Sequence, residues 1–249
     1  MSIQDLAFKL PAPTPLRLAD AALFLDLDGT LAPIAARPQD VHPDPRRTGL
    51  LERLVRGLDG RLAVVSGRTL PDIDRILEGC VMPVAAVHGL VMRDPRGRLA
   101  ETPPHPGVAR AVAELQAFAA QDCGLIVEEK GLSVALHFRL AGDYADAARA
   151  CAREVAEETG LTLQEGDMVE ELRTPGPSKG DSVRAFMQLA PFKGSIPIFL
   201  GDDATDEDGF EAARGLGGTG VAVGVHRAVN ARYRLSGVEA ALAWLEAGL

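Results

Sequence analysis

The stretch "AALFLDLDGT", residues 21–30, joins a short apolar run to two acidic residues and a Gly-Thr pair. An apolar run that stops at polar residues predicts a buried strand ending in a loop. Four later segments share this character: "LAVVSGR" (62–68), "PVAAVHG" (83–89), "IPIFLGDD" (196–203) and "GVAVGV" (220–225). Segments with helical spacing of apolar residues separate most of them. The chain is therefore expected to form an α/β fold, with a parallel sheet covered by helices on both faces.

The middle of the chain has a different pattern. A helical segment at 107–122 precedes two strands around the Lys130-Gly131 turn, and a second helix, 142–159, precedes two strands around the Gly166-Asp167 turn. This helix-strand-strand order, present twice, predicts an α+β unit at 105–173, inserted between core segments 1–104 and 174–249. Proline-rich turns at both joins are expected hinges. An inserted unit of this kind would cover a site and exclude water from it.

Composition narrows the class of protein. The 249 residues are 47% hydrophobic and 24% charged, as in ordinary globular proteins. The net charge of −9 argues against a nucleic-acid partner, because clustered Lys and Arg bind phosphate backbones. No apolar run has the length of a membrane span or a secretory leader, so we expect a cytoplasmic protein without a membrane partner. Cys80, Cys123 and Cys151 lack metal or redox spacing and are expected to be buried thiols.

Asp26 and Asp28 are the first candidates for chemistry. Alternation along an extended chain directs both side chains to the same side. One carboxylate, assigned to Asp26, is expected to attack phosphorus and form an acyl-phosphate. Asp28 is expected to protonate the leaving oxygen and later to accept a proton from water, while Gly29 permits a close turn. A surface Asx-turn is the alternative, and the wholly apolar strand before it counts against that interpretation.

Two further strand and helix ends offer groups for a phosphate. Ser66 has a hydroxyl for a phosphate oxygen, and Arg68 adds charge or orients its neighbours; an ordinary turn is the alternative. Lys179 begins a predicted helix, where the macrodipole disfavours a cation unless an anion lies nearby. It is therefore expected to balance carboxylates or the transferring phosphoryl group, with a solvated surface lysine as the alternative.

A cluster of acids follows the strand at 196–200. Asp202, Asp203 and Asp206 would repel one another and Asp26 unless a hard cation neutralises them. Oxygen ligands of this kind predict Mg²⁺, and the spacing fits no calcium loop. N-capping by Asp203 or Thr205 is a compatible lesser role.

Taken in this order, the four polar segments resemble the motifs of the haloacid dehalogenase (HAD) superfamily of aspartate-based phosphotransferases. The resemblance implies a Rossmann-like core with an inserted cap. A narrower resemblance, to the trehalose-6-phosphate phosphatase family, extends into the cap. It is carried by "FLDLDGTLAPI", "VVSGR", "AVHG", "VEEKGLSVALHFR", "VEELRTPGPSKG" and "FLGDDATDEDGF".

The resemblance implies roles for individual residues. It implies that Mg²⁺ is held by the Asp26 carboxylate, the Asp28 carbonyl and Asp202, with Asp203 and Asp206 in support. It also implies a set of substrate-binding residues: Thr30, Gly67, Arg68, His88, Glu128, Lys130, His137, Arg139 and Glu171. Judged without it, Glu128 and Lys130 would be solvated charges beside a turn, and His137 would be a half-buried histidine. The family pattern is broken at Val91, where an acid is usual, and at Thr174, where proline is common.

The implied reaction is hydrolysis of trehalose 6-phosphate to trehalose and phosphate through an aspartyl-phosphate, the last step of trehalose biosynthesis. The expected partner is thus a small phosphosugar, and the sequence leaves protein partners unknown. Three alternatives stay open. The first is a phosphatase that acts on sucrose phosphate, a hexose phosphate or a nucleotide. The second is a sugar-phosphate mutase, and the third is a non-catalytic phosphosugar sensor. The presence of Asp26, Asp28, Lys179 and Asp202 together counts against the sensor.

Overall fold

The computed structural model describes residues 10–225 and 228–249, and the chain divides into two compact units. One unit comprises the residues up to Ala100 together with Pro177–Leu249, and the other is Glu101–Gly176. The insertion predicted at 105–173 lies within the second unit. That this unit determines substrate specificity stays a prediction.

Strands and helices are numbered in chain order. The strands are β1 (Ala21–Leu25), β2 (Leu62–Val65), β3 (Val84–Ala86), β4 (Val91–Arg93), β5 (Leu99–Glu101), β6 (Ile126–Glu129), β7 (Ser133–His137), β8 (Thr162–Gly166), β9 (Val169–Arg173), β10 (Ile196–Gly201), β11 (Thr219–Val223) and β12 (Tyr233–Leu235). The α-helices are α1 (Pro45–Gly57), α2 (Leu70–Leu77), α3 (Gly107–Ala119), α4 (Ala145–Thr159), α5 (Lys179–Phe186), α6 (Glu207–Gly215) and α7 (Val238–Glu246).

The first unit contains a sheet of order β12-β11-β10-β1-β2-β3-β4-β5. Its strands pair in parallel from β12 to β3, which confirms the predicted parallel core, and β4 then pairs antiparallel with β3. Buried aromatic rings fill one side of the sheet, where Phe24 stacks on Phe192 with centroids 5.5 Å apart and Phe186 joins both. The central strand β1 is buried along its whole length, so its apolar sequence follows from its position.

Local signals fix where the helices begin. Asp44 accepts a hydrogen bond from the Arg47 amide before α1, and Thr69 accepts one from the Asp72 amide before α2. Ser178 caps α5 in a reciprocal arrangement with Asp181. These side chains occupy amide groups that have no partner within the helix. Lys179 is consequently the first residue of a well-defined helix.

The second unit is a four-stranded antiparallel sheet of order β6-β7-β9-β8 with two helices. Val134, Leu136 and Leu172 are fully buried in one cluster with apolar residues of α3 and α4. Because side chains alternate across a strand, the neighbours of these residues point to the opposite face. That face therefore carries the polar residues of β7 and β9, among them Ser133, His137 and Glu171.

Several features differ from the sequence-based expectations. The segments β4, β5, β12 and α7 were not predicted; β4 is half-buried and β5 exposed, so neither has an apolar run. The strand expected over 83–89 ends at Ala86, because Val87 and His88 adopt positive φ angles of 47° and 56°.

The predictions about the cysteines and about membrane spans can also be compared with the structure. Cys80 and Cys151 are only half-buried and Cys123 is exposed, so the prediction of buried thiols is wrong for Cys123. Cys80 and Cys123 lie in the turns after α2 and α3, and Cys151 lies on α4 at the edge of the second unit's apolar cluster. Within residues 10–225 and 228–249, no helix has both the length and the apolarity required to cross a bilayer.

Candidate active site

Sheet register brings Asp26 beside the acidic loop that follows β10. Leu25 of β1 pairs with Leu200 of β10, and the Asp26 amide donates to the Leu200 carbonyl at 3.0 Å. The two parallel strands therefore end side by side, with Asp26 next to Gly201 and Asp202. Asp26 is 4% exposed. Such an edge, at the carboxyl ends of parallel strands, is where ligands bind in open α/β sheets.

Lys179 forms two buried ion pairs at this edge. Its Nζ lies 2.8 Å from Asp26 Oδ1 and 2.7 Å from Asp206 Oδ1, and the side chain is 3% exposed. Burial alone would lower the pKa of Lys179, but the carboxylates of Asp206 and Asp26 raise it above its ordinary value. The lysine is therefore a fixed cation, and the alternative of a solvated surface lysine is wrong.

Asp206 organises the acidic loop. Its Oδ2 accepts hydrogen bonds from the amides of Asp202 at 2.9 Å and Asp203 at 3.1 Å, while Oδ1 accepts from Lys179. The Asp203 carboxylate accepts from the Ala204 amide and caps the short 3₁₀ turn Ala204–Asp206. Asp202 is the member of the loop that lies against Gly29. The supporting roles of Asp203 and Asp206 toward a metal stay predictions.

The acids have the composition of a site for a hard divalent cation. Oxygen atoms of Asp26, Asp202 and Asp206 lie within 4.8 Å of one another. Burial raises the pKa of Asp26 to about 8, against the opposing effect of Lys179. Burial, with the charge of Asp26 next in size, raises the pKa of Asp202 to about 9. Carboxylates so placed are stabilised in their charged form by a metal ion, and all-oxygen donors suit Mg²⁺.

Arg68 holds the second acid of the motif. Its Nε donates to Asp28 Oδ2 at 2.6 Å and its NH2 donates to Oδ1 at 2.8 Å, while NH1 donates to the Pro38 carbonyl. This bidentate pair fixes the plane of the Asp28 carboxylate. The Arg68 amide in turn donates to Ser66 Oγ at 3.2 Å. Arg68 was expected either to add charge for a phosphate or to orient a neighbour. These contacts orient Asp28.

Three further residues predicted on the substrate side lie close to these strand ends. A Cβ atom at Gly67 would stand 2.4 Å from His88 Nε2, so the glycine makes room for the imidazole. The His88 amide donates to the Ser66 carbonyl at 3.0 Å. Thr30 is fully buried, and its hydroxyl has no hydrogen-bond partner among the residues that the structure describes. Contact of these residues with substrate stays a prediction.

The second unit contains a polar network on the sheet face opposite its helices. In the strand register Glu128, Ala135 and Glu171 lie in one row across β6, β7 and β9. Lys130 Nζ is 2.7 Å from Glu171 Oε2 and 3.9 Å from Glu128 Oε2, and His137 Nε2 is 2.9 Å from Glu128 Oε2. Although burial opposes it, the hydrogen bond with His137 and the charge of Lys130 hold the pKa of Glu128 below its ordinary value.

Four of the five cap residues named from the sequence therefore meet in this network, and Arg139 does not. Arg139 NH2 donates to the carbonyl and carboxylate of Asp167, in the β8–β9 turn. Sequence reasoning missed Ser133, whose hydroxyl donates to Glu171 Oε1 at 2.6 Å. Its alternation with Ala135 and His137 on β7 was the available signal, because those residues share a face.

Known proteins resemble this chain along most of its length. The family model described as trehalose-phosphatase matches residues 24–239. The chain is 41% identical to the "Trehalose-6-phosphate phosphatase" of Escherichia coli (strain K12), over 94% of this chain and 88% of that protein. The chain belongs to the trehalose-phosphatase family.

Solved structures place this trehalose-phosphatase chain among known folds. A "trehalose-6-phosphate phosphatase related protein" superposes with a TM-score of 0.76 and 27% identity, over 90% of this chain and 95% of that one. A HAD-superfamily phosphatase from Bacteroides thetaiotaomicron superposes with a TM-score of 0.58 over 90% and 92% of the two chains. At 16% identity, the second likeness shows the fold alone. The Rossmann-like HAD fold predicted from the sequence is thereby confirmed.

Gly29 gives a test of how tightly the trehalose-phosphatase site is packed. Its φ is 77°, and an added Cβ would lie 1.9 Å from Asp202 Oδ2. Gly29→Ala should displace Asp202 or the Asp26–Asp28 loop and lower kcat for p-nitrophenyl phosphate by about 10²-fold, the cost of a displacement near 1 Å. Initial-rate assays on the purified variant would measure this.

Gly79→Ala is the matched control, because Gly79 has a φ of 67° but no atom within 4 Å of the added Cβ. It carries the same backbone strain without the clash, so its activity should equal that of the wild type. Equal losses in both variants would show that strain, and not contact with Asp202, explains the effect.

Proposed function

We propose that the chain hydrolyses trehalose 6-phosphate to trehalose and phosphate as the last step of trehalose biosynthesis. The observation that carries the chemistry is the buried Asp26 carboxylate, held by Lys179 beside the acidic loop. The family match supports the substrate, as do the names of relatives such as the Escherichia coli trehalose-6-phosphate phosphatase.

In the first step an Asp26 oxygen attacks phosphorus in line with the departing sugar oxygen. The new bond joins Asp26 to phosphorus and the bond between phosphorus and O6 of the sugar breaks. Asp28 enters this step as the protonated acid, gives its proton to O6 and becomes the carboxylate that pairs with Arg68. In the second step Asp28 takes a proton from water, which attacks the acyl-phosphate and releases phosphate and the Asp26 carboxylate. Arg68 keeps the Asp28 carboxylate oriented, while Ser66 and Lys179 bind phosphoryl oxygens.

Mg²⁺ would be held by the Asp26 carboxylate, the Asp28 carbonyl and Asp202 of the acidic loop. Asp203 and Asp206 would support these ligands. When bound, this cation neutralises the carboxylates and the charge that develops on the phosphoryl oxygens. Asp206 contributes by fixing the loop, since its two oxygens already accept from Lys179 and from two backbone amides.

The nucleophile is tested by Asp26→Asn with Asp28→Asn as its partner. An amide cannot form the acyl-phosphate, so Asp26→Asn should abolish phosphate release. Asp28→Asn should retain activity lowered by about 10²–10⁴-fold, the usual contribution of acid–base catalysis. Phosphate release and mass spectrometry, which would detect deamidation, are the measurements. Residual Asp26→Asn activity above about 1% would contradict the assignment, because loss of an essential nucleophile costs several decades.

The metal is tested by Asp202→Ala. Removal of this carboxylate should weaken Mg²⁺ binding strongly, and excess Mg²⁺ should restore part of the activity. EDTA should silence the wild type, and Ca²⁺ should inhibit it because Ca²⁺ requires more ligands at longer distances. Calorimetric titration of Mg²⁺ gives a readout independent of turnover, and full activity in EDTA would end the metal hypothesis.

The substrate is tested by Glu128→Ala and Lys130→Ala. If these residues bind hydroxyls of the sugar, kcat/KM for trehalose 6-phosphate should fall by about 10²-fold or more, while slow hydrolysis of p-nitrophenyl phosphate should hardly change. Thr159→Val is a control within the same unit, because the Thr159 hydroxyl donates to the Val155 carbonyl within α4, outside the network. Wild-type activity on glucose 6-phosphate or sucrose 6-phosphate equal to that on trehalose 6-phosphate would reject the substrate and leave the phosphatase assignment intact.

A further inference from the structure

Ser133 occupies a position that the reaction above does not use. It is 0% exposed on β7, and its Oγ donates to Glu171 Oε1 at 2.6 Å. Lys130 Nζ contacts the other oxygen, Oε2, at 2.7 Å. Both oxygens of a carboxylate that is itself almost completely buried are thus held by donors of fixed position.

The cross-strand neighbours of Glu171 are one small and one polar residue. In the strand register Glu171 pairs with Ala135 on β7 and Gln164 on β8. Alanine has a single methyl group, which cannot enclose a side chain with three rotatable bonds. The terminal torsion of glutamate is broad and roughly two-fold, so directed hydrogen bonds must select its orientation. Ser133 and Lys130 supply them.

The backbone beside Ser133 is fixed by other contacts. The amide of Thr174 donates to the Leu132 carbonyl at 2.9 Å and its hydroxyl donates to the same oxygen at 2.7 Å. The Lys130 amide donates to the Ser133 carbonyl at 2.9 Å. Loss of the Ser133 hydroxyl would therefore leave the turn in place and remove one directed hydrogen bond from Glu171 Oε1.

We propose that Ser133 is a positioning residue, whose hydroxyl sets the orientation of the Glu171 carboxylate and, through it, of the Lys130 ammonium for recognition of sugar hydroxyls. This inference rests on the proposed function. Without the hydroxyl, the carboxylate turns both of its oxygens toward Lys130, and the two groups satisfy each other instead of the sugar. Hydrogen bonds to charged groups are the strong ones, so the released freedom is large enough to affect recognition.

Ser133→Ala tests the proposal, with Thr159→Val as the matched control. Thr159 is also buried in this unit, but its hydroxyl donates to the Val155 carbonyl within α4. Ser133→Ala should lower kcat/KM for trehalose 6-phosphate by about tenfold or more, in line with loss of a charge-assisted hydrogen bond. Hydrolysis of p-nitrophenyl phosphate should stay at the wild-type rate, and Thr159→Val should change neither substrate. Ser133→Cys keeps an atom at the site but donates weakly, so it should also lower kcat/KM for trehalose 6-phosphate. It replaces Ser133→Ala as the test if the alanine variant folds poorly.

A double-mutant cycle decides whether Ser133 acts through Glu171. Ser133→Ala should have no further effect on trehalose 6-phosphate in a Glu171→Ala background, because the group that it positions is gone. Additive effects would overturn the proposal, as would equal losses on both substrates or an unchanged Ser133→Ala enzyme. A wild type with no preference for trehalose 6-phosphate would instead reject the proposed function, so the two failures are distinguishable.

Discussion

The ion pairs of Lys179 with Asp26 and Asp206 are the interaction on which the first unit's site depends. They join the end of β1, the start of α5 and the loop after β10, which are far apart in sequence. All three groups are buried, so removing the Lys179 ammonium would leave two buried carboxylates uncompensated, at a cost of about 3–5 kcal/mol. One ammonium cannot balance the three carboxylates of Asp26, Asp202 and Asp206. The remaining charge of two is that of a divalent cation. Burial first, and the neighbouring carboxylates second, raise the pKa values of Asp26 and Asp202.

The sheet explains why this charge cluster assembles at all. Parallel strands bring all their carboxyl ends to one edge of the sheet. Residues that follow different strands therefore lie close together although they are far apart in sequence. The loop then needs its own restraint, which Asp206 provides by accepting the amides of Asp202 and Asp203. Gly29 completes the arrangement, since a side chain at that position would occupy the space of the Asp202 carboxylate.

The burial of the parallel strands also determines what the sequence could predict. Buried parallel strands have continuous apolar runs, so β1, β2, β10 and β11 could be identified, and the polar residues after them could be assigned to one site. The strand β5 is short and exposed and has no such run. The partner of Arg68 depends on a side-chain conformation that no local pattern encodes, and Ser133 looks like an ordinary strand serine until its register with Arg173, beside Glu171, is known. Arg139 shares a face with His137 but lies beyond the end of β7, where Asp167 is the nearer partner.

The two units use the same electrostatic device for different purposes. Lys179 lies between Asp26 and Asp206, and Lys130 lies between Glu171 and, at a longer distance, Glu128. A lysine suits both positions because its compact ammonium has three donors that reach carboxylates on different sides. A planar guanidinium instead engages one carboxylate through two hydrogen bonds, as Arg68 does with Asp28. The core lysine is locked by two close ion pairs and thus serves as a permanent charge. The cap lysine has one close and one distant carboxylate, so the direction of its ammonium depends mainly on how firmly Glu171 is held.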